Sequence, residues 1–207
     1  ELPTDFPRPA IRTTQGASVH LNLPATLVNN LRWLSQEMEA TPFMVFLAAF
    51  KLLLHRHSGQ DDLVVGTPIA GRTHADLEAL IGFFINTLAL RTQLSDELTF
   101  GDLVRQVRNV TLEAYANQEL PFERLLEALQ PERDLSRTPV FQVFFNMLNM
   151  EPGTLALDGL HCERLPWYSQ HANFDLTVYL TEEDEGDIRL RLFYNADLFT
   201  AERMQIF

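Results

Sequence analysis

The segment that most constrains the fold is FMVFLAAFKLLLHRH, Phe43–His57. Thr41 is placed to cap a helix and Pro42 suits its first turn, while Ser58-Gly59 stops it. Within those limits the side chains are apolar nearly all round, and a helix of that kind must be covered on several sides. It therefore belongs inside a layered core. A chain of 207 residues, 46% of them hydrophobic and 15 of them Phe, can supply the covering layers in one domain or two small lobes. Lys51 interrupts the run, which is too short to cross a bilayer.

The covering elements can be read from periodicity. Leu27, Leu31, Leu34 and Met38 recur at helical spacing after Pro24. DLVVGTPIA is a short buried strand, HADLEALIG a loop with one helical turn, and FFINTLALRT a second strand. Thr99 and Asp102 form a capping-box-like start for a long amphipathic helix with Leu103, Val107, Val110 and Ala114 inward, ending near Asn117. Pro121 opens a shorter helix with Phe122, Leu125, Leu126 and Leu129 inward, closed by Gln130-Pro131. VFQVFFNMLNM is a third strand, and FDLTVYL and IRLRLFY form a hairpin around the acidic loop TEEDEGD. Helices and strands mix without strict βαβ alternation, which predicts an α+β fold with a mixed sheet covered by helices on one face. Residues 1–18, rich in proline at their start, read as a linker from something upstream, and residues 19–207 as the folded lobe. The chain does not begin with Met and nothing in ELPTDFPRPA resembles a signal peptide, so a cytoplasmic fragment is expected.

Charge and motifs exclude more than they assign. Sixteen Lys+Arg against 28 Asp+Glu give a net charge of -12, which argues against a chain-wide grip on nucleic acid or anionic membranes. A single cysteine, Cys162, excludes an internal disulfide and a thiolate metal cluster. GTPIAGRT, Gly66–Thr73, has P-loop glycine spacing but carries Arg72 in place of lysine, and Pro68 removes a backbone donor, so a turn leaving a strand is the plainer reading. His171 and Asp175 in HANFD have HxxxD spacing but no following Gly, and Phe174, Leu176 and Val178 continue as a strand. His55 and His57 are two apart on a helix and do not share a face, so no metal site is expected. No complete catalytic motif is present.

The segments LPTDFPRP, DLVVGTPIAGR, IGFFINTLALR, NQELPFERLLEAL, RDLSRTPVFQVFFNMLN, FDLTVYL and NADLF occur in the order and spacing of one family. Together they resemble the C-terminal half of the condensation domains of nonribosomal peptide synthetases, over essentially the whole chain. The resemblance implies a chloramphenicol-acetyltransferase-like lobe that forms half of a V-shaped pseudo-dimer. In the whole domain, an aminoacyl amine on one carrier protein attacks the thioester of a peptidyl group on another, each held on a phosphopantetheine arm. The signature HHxxxDG lies in the other lobe and is absent here, so the fragment is expected to be inactive alone, with no directly bound cofactor and no metal.

The resemblance also implies roles for particular residues. Arg72, after a strand, is the candidate partner for the Asp of the missing motif, because a guanidinium binds a carboxylate bidentately. Asn86 is a candidate tunnel-lining residue, with a hydrogen bond inside the strand as the alternative. Arg133 and Arg137 flank the DLS segment at an expected contact between lobes, and a floor loop is expected near residues 72–84. Arg105 and Arg108, turned outward on the long helix, are candidates for docking acidic carrier proteins. Expected partners are the N-terminal lobe, donor and acceptor carriers, and a following adenylation domain. Asn117 departs from the family's usual His. Epimerization and heterocyclization domains share the fold, and a non-catalytic lobe that recruits carrier or tailoring proteins is a further reading.

Overall fold

The computed structural model describes residues 1–148, 157, 159, 160, 162, 170–183 and 186–207. Strands β1 (Gly16–Leu23), β2 (Asp62–Ile69), β3 (Asn86–Gln93), β4 (Val143–Leu148), β5 (Leu176–Glu182) and β6 (Ile188–Asn195) form one sheet in the order β1-β6-β5-β4-β2-β3. The β2–β4 and β4–β5 pairs are parallel and the others antiparallel, so the sheet is mixed as the irregular element order predicts. Helices α1 (Ala25–Glu37), α2 (Pro42–Ser58), α3 (Ala75–Glu78), α4 (Phe100–Ala116), α5 (Phe122–Leu129) and α6 (Ala201–Ile206) complete the described elements.

The local signals act as their chemistry requires. The Thr41 side chain accepts from the Met44 N–H, and Gly59 closes α2 in the left-handed region at φ 66°. Thr99 and Asp102 make a reciprocal capping box at α4. Along each strand alternate residues turn inward. Val65, Leu90, Phe145, Val178, Leu180 and Leu192 are buried against Val45, Leu47, Phe50 and Leu54 of α2, Val28 of α1 and Val104 and Val107 of α4. The apolar helix is thus the central layer on one face of the sheet. No single helix among the described residues is long and apolar enough to cross a membrane.

Three differences from the sequence-based expectation stand out. β1 begins at Gly16, inside the stretch read as linker, because SVHLNL pairs along its full length with β6. Second, the residues before it are not a free tether: Leu2 is buried, Asp5 accepts from the Thr200 N–H and pairs with Arg203 at the start of α6, and Arg8 pairs with Asp175. Third, α5 buries none of its residues and Leu129 is exposed, so its apolar face, read as inward, is partly bare. Asn149 and Met150 of the third strand, and Asp184 and Glu185 of the acidic loop, lie outside the described residues.

Candidate functional site

The loop joining β2 to β3 is built around Gly71 and Arg72. Gly71 has φ 66°, and a Cβ there would lie 1.9 Å from the Phe84 carbonyl oxygen, so only glycine lets the two ends of the loop approach. The Arg72 guanidinium stacks over the Phe84 ring at 4.4 Å and donates to the carbonyls of Leu77, Glu78 and Leu80. Arg72 therefore clamps its own loop, and its fork is spent on carbonyl oxygens. The clamp leaves Ile81 and Phe83 fully exposed at the tip.

Beside this loop, Asn86 opens β3 and ties it to the α4–α5 connection. Its Nδ2 donates to Gln118 O at 2.8 Å and Leu120 O at 2.7 Å, while its Oδ1 accepts from the N–H groups of Thr87 and Phe122. Those bonds use all the carboxamide's polar atoms and form one wall of a cleft of about 480 Å³ that Phe84, Thr87, Glu119 and Phe122 also line. Asn86 thus lines this cleft and also bonds at its own end of the strand. Asn117 caps α4, its Nδ2 donating to Glu113 O.

The segment around Arg133 and Arg137 is held by the N-terminal residues. Arg137 pairs with Glu1 and Asp134, and Asp134 in turn accepts from Ser136. Arg8 donates to both Asp175 oxygens and to Ser136 O, and Arg12 reaches Asn173 O. Arg133 is exposed, as is Leu135 beside it. Beyond Pro139 the Phe141 N–H donates to Pro139 O at 2.8 Å across Val140, whose φ is 69°. This is a γ-turn with a β-branched residue at positive φ, a rare and strained arrangement. It delivers Phe141 onto Gly66, where an added Cβ would meet the ring at 2.2 Å, and into contact with Phe122, Phe144 and Phe174.

On α4 the two arginines differ. Arg105 is well exposed and pairs with Asp102 one turn back, whereas Arg108 reaches the Glu39 carbonyl at 2.6 Å and ties α4 to the end of α1. The outward pair predicted from periodicity therefore contains one exposed side chain paired within its own helix and one link to another element.

The sheet's other face carries residues the motif search did not single out. His20 on β1 stands opposite Arg191 on β6, which stands opposite Tyr179 on β5. The Arg191 guanidinium lies 4.4 Å from the Tyr179 ring centre and 5.9 Å from that of Phe193. Burial, with the positive charges of Arg191 and Arg189, lowers the His20 pKa. Alternation in VHLNL and IRLRLFY contained this signal, since every second residue of a strand shares a face. The partner of Arg8 could not be read that way: the two residues are 167 positions apart.

Packing shows what surrounds three of the sequence motifs. Asp175 of HANFD is a buried carboxylate whose charge is matched by Arg8, immediately before β5. Gly66 and Gly71 accommodate Phe141 and Phe84 rather than a phosphate. His55 is buried between Asp61 and Asp96, while the His57 ring lies 4.6 Å from Phe207, and no cluster of metal-ligating residues exists among the described residues.

Comparisons with known proteins place this architecture. The Condensation domain family profile matches residues 1–207. Tyrocidine synthase 3 of Brevibacillus parabrevis is 44% identical over 204 residues, covering 99% of this chain and 3% of that protein. Phosphinothricin tripeptide synthetase PhsC of Streptomyces viridochromogenes is 48% identical over 203 residues, covering 96% of this chain and 18% of that one. The chain thus spans a small part of these relatives. Among solved structures, a four-domain nonribosomal peptide synthetase bound to AMP and glycine superposes with TM-score 0.92 at 29% identity, covering 99% of this chain and 17% of that chain. The X-domain from teicoplanin biosynthesis superposes with TM-score 0.91 at 32% identity, covering 99% of this chain and 47% of the other. With its mixed sheet packed with helices and a family match over its entire length, this chain belongs to the condensation domain family of nonribosomal peptide synthetases, which has the chloramphenicol-acetyltransferase-like fold.

Proposed function

We propose that the chain is the C-terminal lobe of a condensation domain that joins carrier-bound aminoacyl and peptidyl thioesters through an amide bond. The observation that carries this reading is coverage: 99% of the chain accounts for 47% of the X-domain, about half of that chain's length. In this reading the N-terminal lobe supplies HHxxxDG, and the carriers deliver their phosphopantetheine arms to a tunnel between the lobes. An adenylation domain follows in the same synthetase, and the assembly works in the cytoplasm. Arg72 supports the site by holding the loop whose exposed Ile81 and Phe83 suit burial against the other lobe. Its release to the missing motif's Asp is the alternative role. Arg133 and exposed Leu135 form a second contact, with Arg137 setting the geometry behind them. Asn86 shapes the tunnel by fixing the connector that walls the cleft. Arg105 is the more available of the two carrier-docking arginines.

The test is a carrier-to-carrier condensation assay with the chain alone and with the chain joined to its N-terminal lobe. Product from the joined form only is expected. Product from the chain alone would overturn the lobe assignment.

One observation favours a second reading. A teicoplanin X-domain solved in complex with OxyB superposes with TM-score 0.88 at 32% identity. A lobe of this shape can thus belong to a unit that binds another protein, and the chain would then serve recruitment. Failure of the joined form to condense, with retained binding of a tailoring protein, would support it.

A further inference from the structure

The strained turn at Val140 is held from outside by the N-terminal segment. The Arg12 N–H donates to Leu135 O at 2.8 Å, Arg8 donates to Ser136 O at 3.3 Å while its fork grips Asp175, and Glu1 pairs with Arg137. Residues 135, 136 and 137 are thus fixed in succession. Thr138 and Gln142 close the turn itself: the Thr138 hydroxyl donates to Phe141 O, and Gln142 Nε2 donates to Thr138 O at 3.0 Å. A β-branched residue stays at φ 69° only where its surroundings over-determine it, and these bonds supply that.

Val140 also has room to leave. It lines a small cavity of about 160 Å³ on the side of Leu2, Leu54 and Val143, and an open groove of about 820 Å³ on the side of Leu126 and Leu135. Phe141, next in the chain, has a single seat, because its ring occupies the space that a side chain at position 66 would fill. A close-packed seat of that kind is either filled or vacated. Phe141 also touches Phe122, with ring centres 5.5 Å apart, and the Phe122 N–H donates to Asn86 Oδ1 at 3.2 Å in the wall of the 480 Å³ cleft. One contiguous chain of contacts therefore runs from Glu1, Arg8 and Arg12 through Val140 and Phe141 to that cleft.

We infer that the Val140 turn is a conformational switch held in its strained state by the N-terminal segment, and that its release withdraws Phe141 from Gly66 and reshapes the cleft beside Asn86. The inference goes beyond the condensation reading and does not depend on it. Lifting the segment from residues 135–137 removes the bonds that oppose relaxation, so Val140 returns to negative φ, where a valine is unstrained. Phe141 follows because it is the next residue, and Phe122 loses the ring against which it rests. The segment thereby biases the cleft at a distance, through a two-state element.

The test is NMR relaxation dispersion on the 207-residue chain, read at the Val140 methyl groups, the Phe141 ring and the Asn86 carboxamide. Microsecond-to-millisecond exchange with one common rate at all three is expected. Arg137→Gln releases Glu1 from a partly exposed side chain and leaves the core untouched, so it should fold and should raise the minor population severalfold. Arg8→Lys, which keeps a positive charge beside Asp175 but gives up the fork, should do the same. Val140→Gly accepts positive φ without strain and should remove the exchange at Phe141 and Asn86. A purely structural turn would leave the Asn86 carboxamide unmoved in every variant. Exchange at Val140 that Asn86 does not share, a minor population unchanged in both arginine variants, persistent exchange in Val140→Gly, or no exchange in any of these proteins would overturn the switch.

Discussion

Lys51 lies in the middle of the apolar helix, is fully buried, and donates through Nζ to Leu90 O at 2.8 Å and Thr92 Oγ1 at 2.5 Å. Burial lowers its pKa from 10.5 to about 7, with the Asp62 charge opposing part of the shift. The unfolded chain holds this proton until about pH 10.5, whereas the folded chain releases it near 7. Between those values the unfolded state binds more protons, so stability rises with pH, and below about 7 the contribution of the neutral amine is lost. The gap corresponds to a penalty of about 4–5 kcal/mol on the charged form, and about 2 kcal/mol of it is relieved between roughly pH 7 and 9. Lys51→Met keeps the volume and removes the charge. It gives up the two hydrogen bonds and leaves the Leu90 carbonyl unmet, at a cost of about 1–3 kcal/mol. The variant should therefore equal or exceed the wild type near neutrality and lose that advantage as pH rises. Urea unfolding of both proteins across this range isolates the effect, because other titrating groups cancel in the difference. A difference that stays constant from pH 7 to 9 would refute the assignment of the titration to Lys51.

Other perturbations test the remaining structural claims. Gly71→Ala must place a Cβ against the Phe84 carbonyl at positive φ, and a loss of about 2–4 kcal/mol in chemical denaturation, with disrupted Arg72 resonances, is expected. Arg8→Ala strands the buried Asp175 carboxylate and should cost about 3–5 kcal/mol in the same assay; an effect below about 1 kcal/mol would show that the N-terminal segment is a tether after all. Val140→Gly relieves the positive φ at the γ-turn and should raise the melting temperature slightly, by an amount equivalent to about 1 kcal/mol or less; a fall of several degrees would mean that the valine's packing outweighs its strain.

The sequence by itself determined what depends on near neighbours along the chain. Thr41 with Pro42 and Thr99 with Asp102 set helix starts, Gly59 and Gln130 set ends, and alternation set the β5–β6 hairpin, because caps, turns and side-chain periods are satisfied within a few residues. The order of the family's segments carried the fold and the family with it. β1 was missed because polar Ser18, His20 and Asn22 occupy alternate positions beside a proline-rich stretch, and only pairing with β6, more than 160 residues away, makes it a strand. Tertiary structure alone decided that Lys51 is buried in a helix whose apolar neighbours could have left it a route to solvent. It likewise decided that Arg8 neutralises Asp175 and that Arg108 is tied to Glu39 while Arg105 stays outside. It also set Arg72 on three carbonyls of its own loop and placed His20, Arg191 and Tyr179 in one row. Such pairings join residues far apart in sequence, and their energies depend on distance and desolvation, which no local pattern encodes.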